Sequence, residues 1–184
     1  GDGVYKSEDA GATWEHIGLD FSRHIANVEI HPSDPDLIYV AVQGAQYGPS
    51  ADRGIYRTKN GGKSWEKVLY LTDITGAASL SMDKNNPRIL YAAMWQHERL
   101  PWQMKSGGEK SGLYKSTDGG DNWTRLEKGL PEVIGKAGIS VSRANSNLVY
   151  ANIEENKGGR LRDYRIMAAF SEISDALDEI CDEC

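Results

Sequence analysis

The sequence predicts an all-β chain made of repeated antiparallel sheets of four short strands, and three observations carry that prediction. An eight-residue figure occurs three times, as Ser7-x-Asp9-x-Gly11-x-Thr13-Trp14, Thr58-x-Asn60-x-Gly62-x-Ser64-Trp65 and Ser116-x-Asp118-x-Gly120-x-Asn122-Trp123. Each copy follows Gly-aliphatic-Tyr-basic, at Gly3-Val4-Tyr5-Lys6, Gly54-Ile55-Tyr56-Arg57 and Gly112-Leu113-Tyr114-Lys115. Between the copies an apolar segment, a polar turn and a second apolar run recur: Val28-Glu29-Ile30 to Tyr39-Val40-Ala41-Val42, Leu80-Ser81-Met82 to Tyr91-Ala92-Ala93-Met94, and Ile139-Ser140-Val141 to Tyr150-Ala151-Asn152-Ile153. A period of about fifty residues marks a repeat architecture, in which one unit cannot bury its apolar faces alone.

The repeated figure reads as a tight hairpin turn. Asp9, Asn60 and Asp118 carry acceptor oxygens suited to backbone N–H groups two residues on, and the glycine that follows supplies a positive φ at little cost. Each Trp comes just after the turn, where a large ring can fill the gap between neighbouring sheets and bury roughly 150–250 Å². Trp14, Trp65 and Trp123 are therefore expected in equivalent buried places. An apolar content of 39% with 20 glycines suits such a turn-rich chain.

These figures resemble Asp boxes, also called BNR repeats, and the resemblance covers residues 1 to about 159. Met94-Trp95-Gln96-His97-Glu98-Arg99-Leu100-Pro101-Trp102 and Ser111-Gly112-Leu113-Tyr114-Lys115-Ser116-Thr117-Asp118-Gly119-Gly120 resemble segments of the bacterial sortilin-like or xyloglucanase-like glycosidase propellers. The resemblance implies β-propeller blades of four strands, A to D, with the box in the C–D hairpin. The middle box departs from the pattern at Thr58 and Asn60, which keep the hydroxyl and the acceptor oxygen. Residues 3–19 then supply strands C and D of one blade, 25–70 and 78–128 two full blades, and 138–155 strands A and B of a fourth. That is about three blades of sheet, against the 4 to 8 blades typical of a closed ring. The chain reads as a fragment, with the remaining blades missing, beginning within a repeat and without a leader that would serve as a secretion signal.

Charge separates a second segment, 160–184. Within it, residues 166–184 hold the six acids Glu172, Asp175, Asp178, Glu179, Asp182 and Glu183 and no base, so the net charge of −6 lies there and the remainder of the chain is neutral. Scattered Lys and Arg give no nucleic-acid stripe, and no apolar run approaches the roughly 20 residues of a membrane span. Apolar residues at 166, 170, 173, 177, 180 and 184 trace one helical stripe, predicting an acidic amphipathic helix over Tyr164 to Cys184. It is either a docking helix covering an open strand edge or a stretch foreign to the propeller, such as a shifted reading frame gives, since a fourth box should stand there. Cys181-x-x-Cys184 has neither a second ligand pair nor a setting that lowers a thiol pKa. No metal site and no cofactor is predicted. Compartment follows only from the resemblance, which implies the periplasm or the cell exterior.

Chemistry is expected opposite the boxes. In an up-and-down blade the B–C loops and D–A connections share one end, and the long insertions, Gln43 to Arg53 and Gln96 to Ser111, are both B–C loops. Insertions gathered on one face of an array often mark its binding face. Tyr47, Arg53, Trp95, His97, Arg99 and Trp102 are the candidate ligand-binding residues, with Trp95 and Trp102 suited to stacking on a pyranose. A plainer alternative makes Trp95 the end of a core strand, Trp102 a loop anchor and His97 a loop hydrogen-bonder. Two function classes stand: a non-catalytic propeller binding a glycan or a peptide, and a glycoside hydrolase. The latter needs two carboxylates about 5 to 9.5 Å apart, and only Asp52, Asp73 and Glu98 are candidates. The arginine cluster and tyrosine nucleophile of sialidases find no match.

Overall fold

The apolar runs pair in chain order into four antiparallel sheets in the computed structural model, which describes the backbone of residues 1–157 and 160–169 and the side chains of residues 1–154. The first sheet is the hairpin of β1 (Tyr5–Lys6) and β2 (Glu15–His16). The second holds β3 (Ile25–Ile30), β4 (Ile38–Val42), β5 (Gly54–Thr58) and β6 (Glu66–Leu69), neighbours in that order. In the third, β7 (Thr75–Met82) pairs with β8 (Leu90–Leu100), whose far end carries the extra strand β9 (Gln103–Ser106); β10 (Gly112–Ser116) and β11 (Thr124–Leu126) complete it. The fourth is β12 (Ile134–Val141), β13 (Leu148–Lys157) and β14 (Arg160–Ala169).

Side-chain alternation explains how sheets stack. Successive residues of a strand point to opposite faces, and in β4 Ile38, Val40 and Val42 pack with Val4 while Tyr39 and Ala41 join Ala77, Leu80, Met82 and Leu90. The same division occurs in β8, where Leu90, Ala92 and Met94 face the second sheet and Tyr91 and Ala93 face Ile134, Ile139, Val149 and Ile153. Both faces are buried. That is why these runs are apolar without interruption instead of alternating.

The first strands of successive sheets are joined by side chains. Asn27 Oδ1 accepts the Leu80 N–H at 3.1 Å, Ser79 Oγ that of Ile139 at 3.3 Å and Ser81 Oγ that of Val141 at 3.1 Å. Glu29, in the place of Ser81, instead holds Lys84 at 2.6 Å. A one-residue irregularity recurs near the start of each of these strands, between Ile25 and Asn27, Ala77 and Ser79, and Ile134 and Ala137, and such bulges increase local twist.

The three repeated turns share one hydrogen-bond pattern, which differs in detail from the one the sequence suggested. The hydroxyls of Ser7, Thr58 and Ser116 accept the N–H of Gly11, Gly62 and Gly120 at 2.7, 3.0 and 2.8 Å. Asp9, Asn60 and Asp118 accept from residues four further on, Thr13, Ser64 and Asn122, at 2.8, 2.9 and 2.9 Å. Nearer amides already point at the hydroxyl. Gly62 has φ 95° and lies against the first sheet, where an added Cβ would stand 2.7 Å from Ile17. Because the Gly120 amide is buried, Ser116→Ala leaves it without its acceptor and is expected to lower the unfolding free energy by about 2 kcal/mol. Urea denaturation checks this, and a change below about 0.5 kcal/mol would assign the turn's stability elsewhere.

Three expectations are corrected. The tryptophans are not equivalent: Trp65 donates to Ile17 O of the preceding sheet at 2.7 Å and Trp123 packs against the core, but Trp14 is 64% exposed. Among the described residues no sheet lies on its outer side. The connection from Gln96 to Ser111 is not a plain loop, since His97 to Leu100 extend β8 and pair with β9 in a hairpin arm turning at Pro101 and Trp102. Finally, residues 164–169 are strand rather than helix. They lie in β14, which pairs along β13 from Lys157↔Arg160 to Leu148↔Ala169, because the open β13 edge offers a full ladder of backbone partners. The remainder of that helix expectation, 170–184, lies outside the described residues.

Candidate functional site

Strand direction sets the two long insertions at one end of the sheets and the repeated turns at the other. Of the candidate residues at the insertion end, Tyr47 is 68% and Trp102 77% exposed, and Arg99 also faces solvent. Met104, paired with Arg99 across the arm, is exposed too. Glu98 holds Lys105 at 3.0 Å, while Asp73 is exposed and Asp52 half-buried.

Arg53, Trp95 and His97 are inside. Arg53 is fully buried, and its guanidinium donates to Ala45 O at 2.7 Å, Gly48 O at 3.1 Å and Ile74 O at 3.1 Å. One terminal nitrogen also lies 3.0 and 3.3 Å from the two ring nitrogens of His97. Since a guanidinium only donates, the imidazole must accept. His97 Nδ1 also lies 3.3 Å from Trp95 O, and the ring nitrogen that carries no proton accepts from Arg53. Protonation would set two cations together, and the His97 pKa is pushed down to about 4, chiefly by burial and then by Arg53.

The chain of contacts continues into the fourth sheet. His97 stacks on Trp95 with centroids 4.0 Å apart and planes 15° apart. Trp95 donates to Ser106 Oγ at 2.9 Å, and Ser106 to Glu154 Oε2 at 2.8 Å, an oxygen that also takes the Lys136 N–H at 2.7 Å. Trp95 is thus buried, within β8 rather than at the end of a strand. Beside this chain an open crevice of about 350 Å³ is lined by Ser79, Lys136, Asn152 and Glu154 among others. Ser106, Lys136 and Glu154 went unnoticed in the sequence, where nothing in their spacing connects them. Gly76 lets β7 approach the start of the first insertion, for an added Cβ would collide with Gln43 O.

Among the described residues no group of three or more His, Cys, Asp and Glu could hold a metal ion, and no helix is long and apolar enough to cross a membrane. A family model described as "Sortilin, neurotensin receptor 3" matches residues 2–176. The chain belongs to the Sortilin-Vps10 family. Solved structures similar to this family member include a GH74 xyloglucanase from Xanthomonas campestris, with a TM-score of 0.62 and 17% identity over 92% of this chain and 26% of that one. A GH74 enzyme from Niastella koreensis gives a TM-score of 0.56 and 18% identity, over 92% and 26% respectively. Both likenesses support a β-propeller fold. The chain spans about a quarter of the length of these proteins. No curated protein matches it.

Proposed function

We propose that this sortilin-like chain is a non-catalytic propeller segment that binds a glycan or peptide ligand through its B–C loop face. The observation that carries the proposal is the exposure of Trp102 at the tip of the β8–β9 arm, 77%, on the same end as Tyr47 at 68%. Large aromatic rings give contact area at low entropic cost. Arg99 supplies a charged neighbour on the arm. The repeated carboxylates are occupied in Asp-box turns at the other end. Family membership supports a place outside the cytoplasm, in the periplasm or beyond the cell.

Titration of short peptides and of neutral oligosaccharides against the wild type, Tyr47→Ala and Trp102→Ala tests the reading. Trp102→Ala is expected to weaken binding tenfold or more, as truncation of a central aromatic does. Unchanged affinity in both variants would sink it. A second reading, part of a glycoside hydrolase, is favoured by one contact: Ser50 N–H donates to Asp73 O at 2.7 Å, which brings the segments carrying Asp52 and Asp73 together. Glycoside turnover abolished by Asp52→Asn or Asp73→Asn would put that reading first.

A further inference from the structure

We infer that Arg53 is a positioning residue for the loop face: its guanidinium fastens the insertion that carries Tyr47 to the next sheet through Ile74 and His97, making insertion and arm one rim. The inference rests on the reading that this rim binds a ligand. It is argued from what Arg53 touches. Two of its carbonyl partners, Ala45 and Gly48, belong to its own insertion, and the third, Ile74, to the connection leading into β7. Ile74 O is shared, since it also accepts the His97 N–H at 3.0 Å. Guanidinium and arm therefore grip the same peptide.

A buried cation is costly unless its donors are satisfied. Here the partners are carbonyls and an imidazole rather than a carboxylate, so the arrangement adds little as an ion pair. What it does is geometric. The planar fork closes a loop of eight residues onto a fixed point of the neighbouring sheet, a task for which an ammonium lacks the shape. Beyond His97, the Trp95 stack and the Ser106 hydroxyl pass the constraint to β9. Trp102 sits on the arm so fixed.

Amide hydrogen exchange on the whole chain tests this without a ligand. His97→Phe keeps a ring over Trp95 but offers Arg53 no lone pair, and exchange over residues 44–52 is expected to quicken about tenfold. Arg53→Lys is expected to behave like Arg53→Met, with faster exchange in both the insertion and β9. In Arg53→Met the imidazole, whose other ionisable neighbours are Lys136 and His24, should titrate above its wild-type pH when followed by NMR. Unchanged exchange over 44–52 in His97→Phe, or full rescue by lysine, overturns the inference. Should the Arg53 variants not fold, His97→Phe carries the test alone. A wild type that binds neither peptide nor oligosaccharide defeats the loop-face reading through the titration, whereas failure of the positioning role shows only in exchange.

Discussion

Replacing Arg57 by Met is expected to lower the unfolding free energy by about 3 kcal/mol, because it removes the charge that joins the second and third sheets. Arg57, 5% exposed on β5, donates to Gly119 O at 2.5 Å and to Glu66 at 2.5 Å, and pairs with Asp121 at 2.7 Å. Gly119 and Asp121 belong to the repeated turn of the next sheet, where Tyr39 also donates to Gly119 O at 2.8 Å. Methionine keeps the apolar stem and loses the bonds to Gly119, Glu66 and Asp121, while that of Tyr39 remains. The partners are unequal, for Glu66 and Asp121 are about half exposed and regain water when released. Asp121→Asn is therefore expected to cost no more than about 1 kcal/mol. Equal losses in the two variants, measured by urea denaturation, would show that the carboxylate rather than the buried fork holds the joint.

Acid is expected to weaken the fold in two separate windows. His97 is neutral in the folded chain with a pKa pushed down to about 4, while an unfolded histidine takes up its proton near 6.5. The unfolded state therefore binds more protons between those values. Stability from this group is whole above pH about 6.5 and falls by roughly 3 kcal/mol as pH drops to about 4. Asp9 and Asp118 act lower. The hydroxyl and N–H of Thr13 hold Asp9 at about 2, and the N–H and side-chain amide of Asn122 hold Asp118 at about 2, so their contribution is present above pH about 4 and lost toward 2. Denaturation at pH 7.5, 5.5, 4.5 and 2.5 separates the windows, since His97→Phe should flatten the change from 7.5 to 4.5 and leave the loss from 4.5 to 2.5 intact. A wild type equally stable at 7.5 and 4.5 would contradict the first.

What the sequence made legible was whatever repeats. The turns at Ser7, Thr58 and Ser116 and the buried runs of β4 and β8 could be placed because the same physics returns every fifty residues or so. Arg53 and His97 were visible as candidate ligand-binding residues of the two insertions, but not as partners of each other, since their spacing in the sequence gives no sign of contact. Only the folded chain shows that the Arg53 fork meets an imidazole 44 residues on. Strand β9 was hidden for a local reason. Gln103-Met104-Lys105-Ser106 has no apolar alternation, because it projects beyond the core and pairs with β8 alone. Residues 164–169 misled in the opposite sense, for a helical stripe was present and an open strand edge outweighed it.

The division of β4 and β8 between two interfaces makes each of these strands a party wall, with neighbours on either side that never meet. Odd and even positions are thus answerable to different rooms. Enlarging Ala41 crowds the joint with the third sheet, whereas enlarging Val40 crowds the joint with the first. Substitutions along such a strand can drift independently by parity, each joint adjusting on its own side. A single inserted residue is another matter, since it would exchange the occupants of both rooms together. Lineages of this repeat should accordingly vary freely in the letters of the central strand and hardly at all in its length.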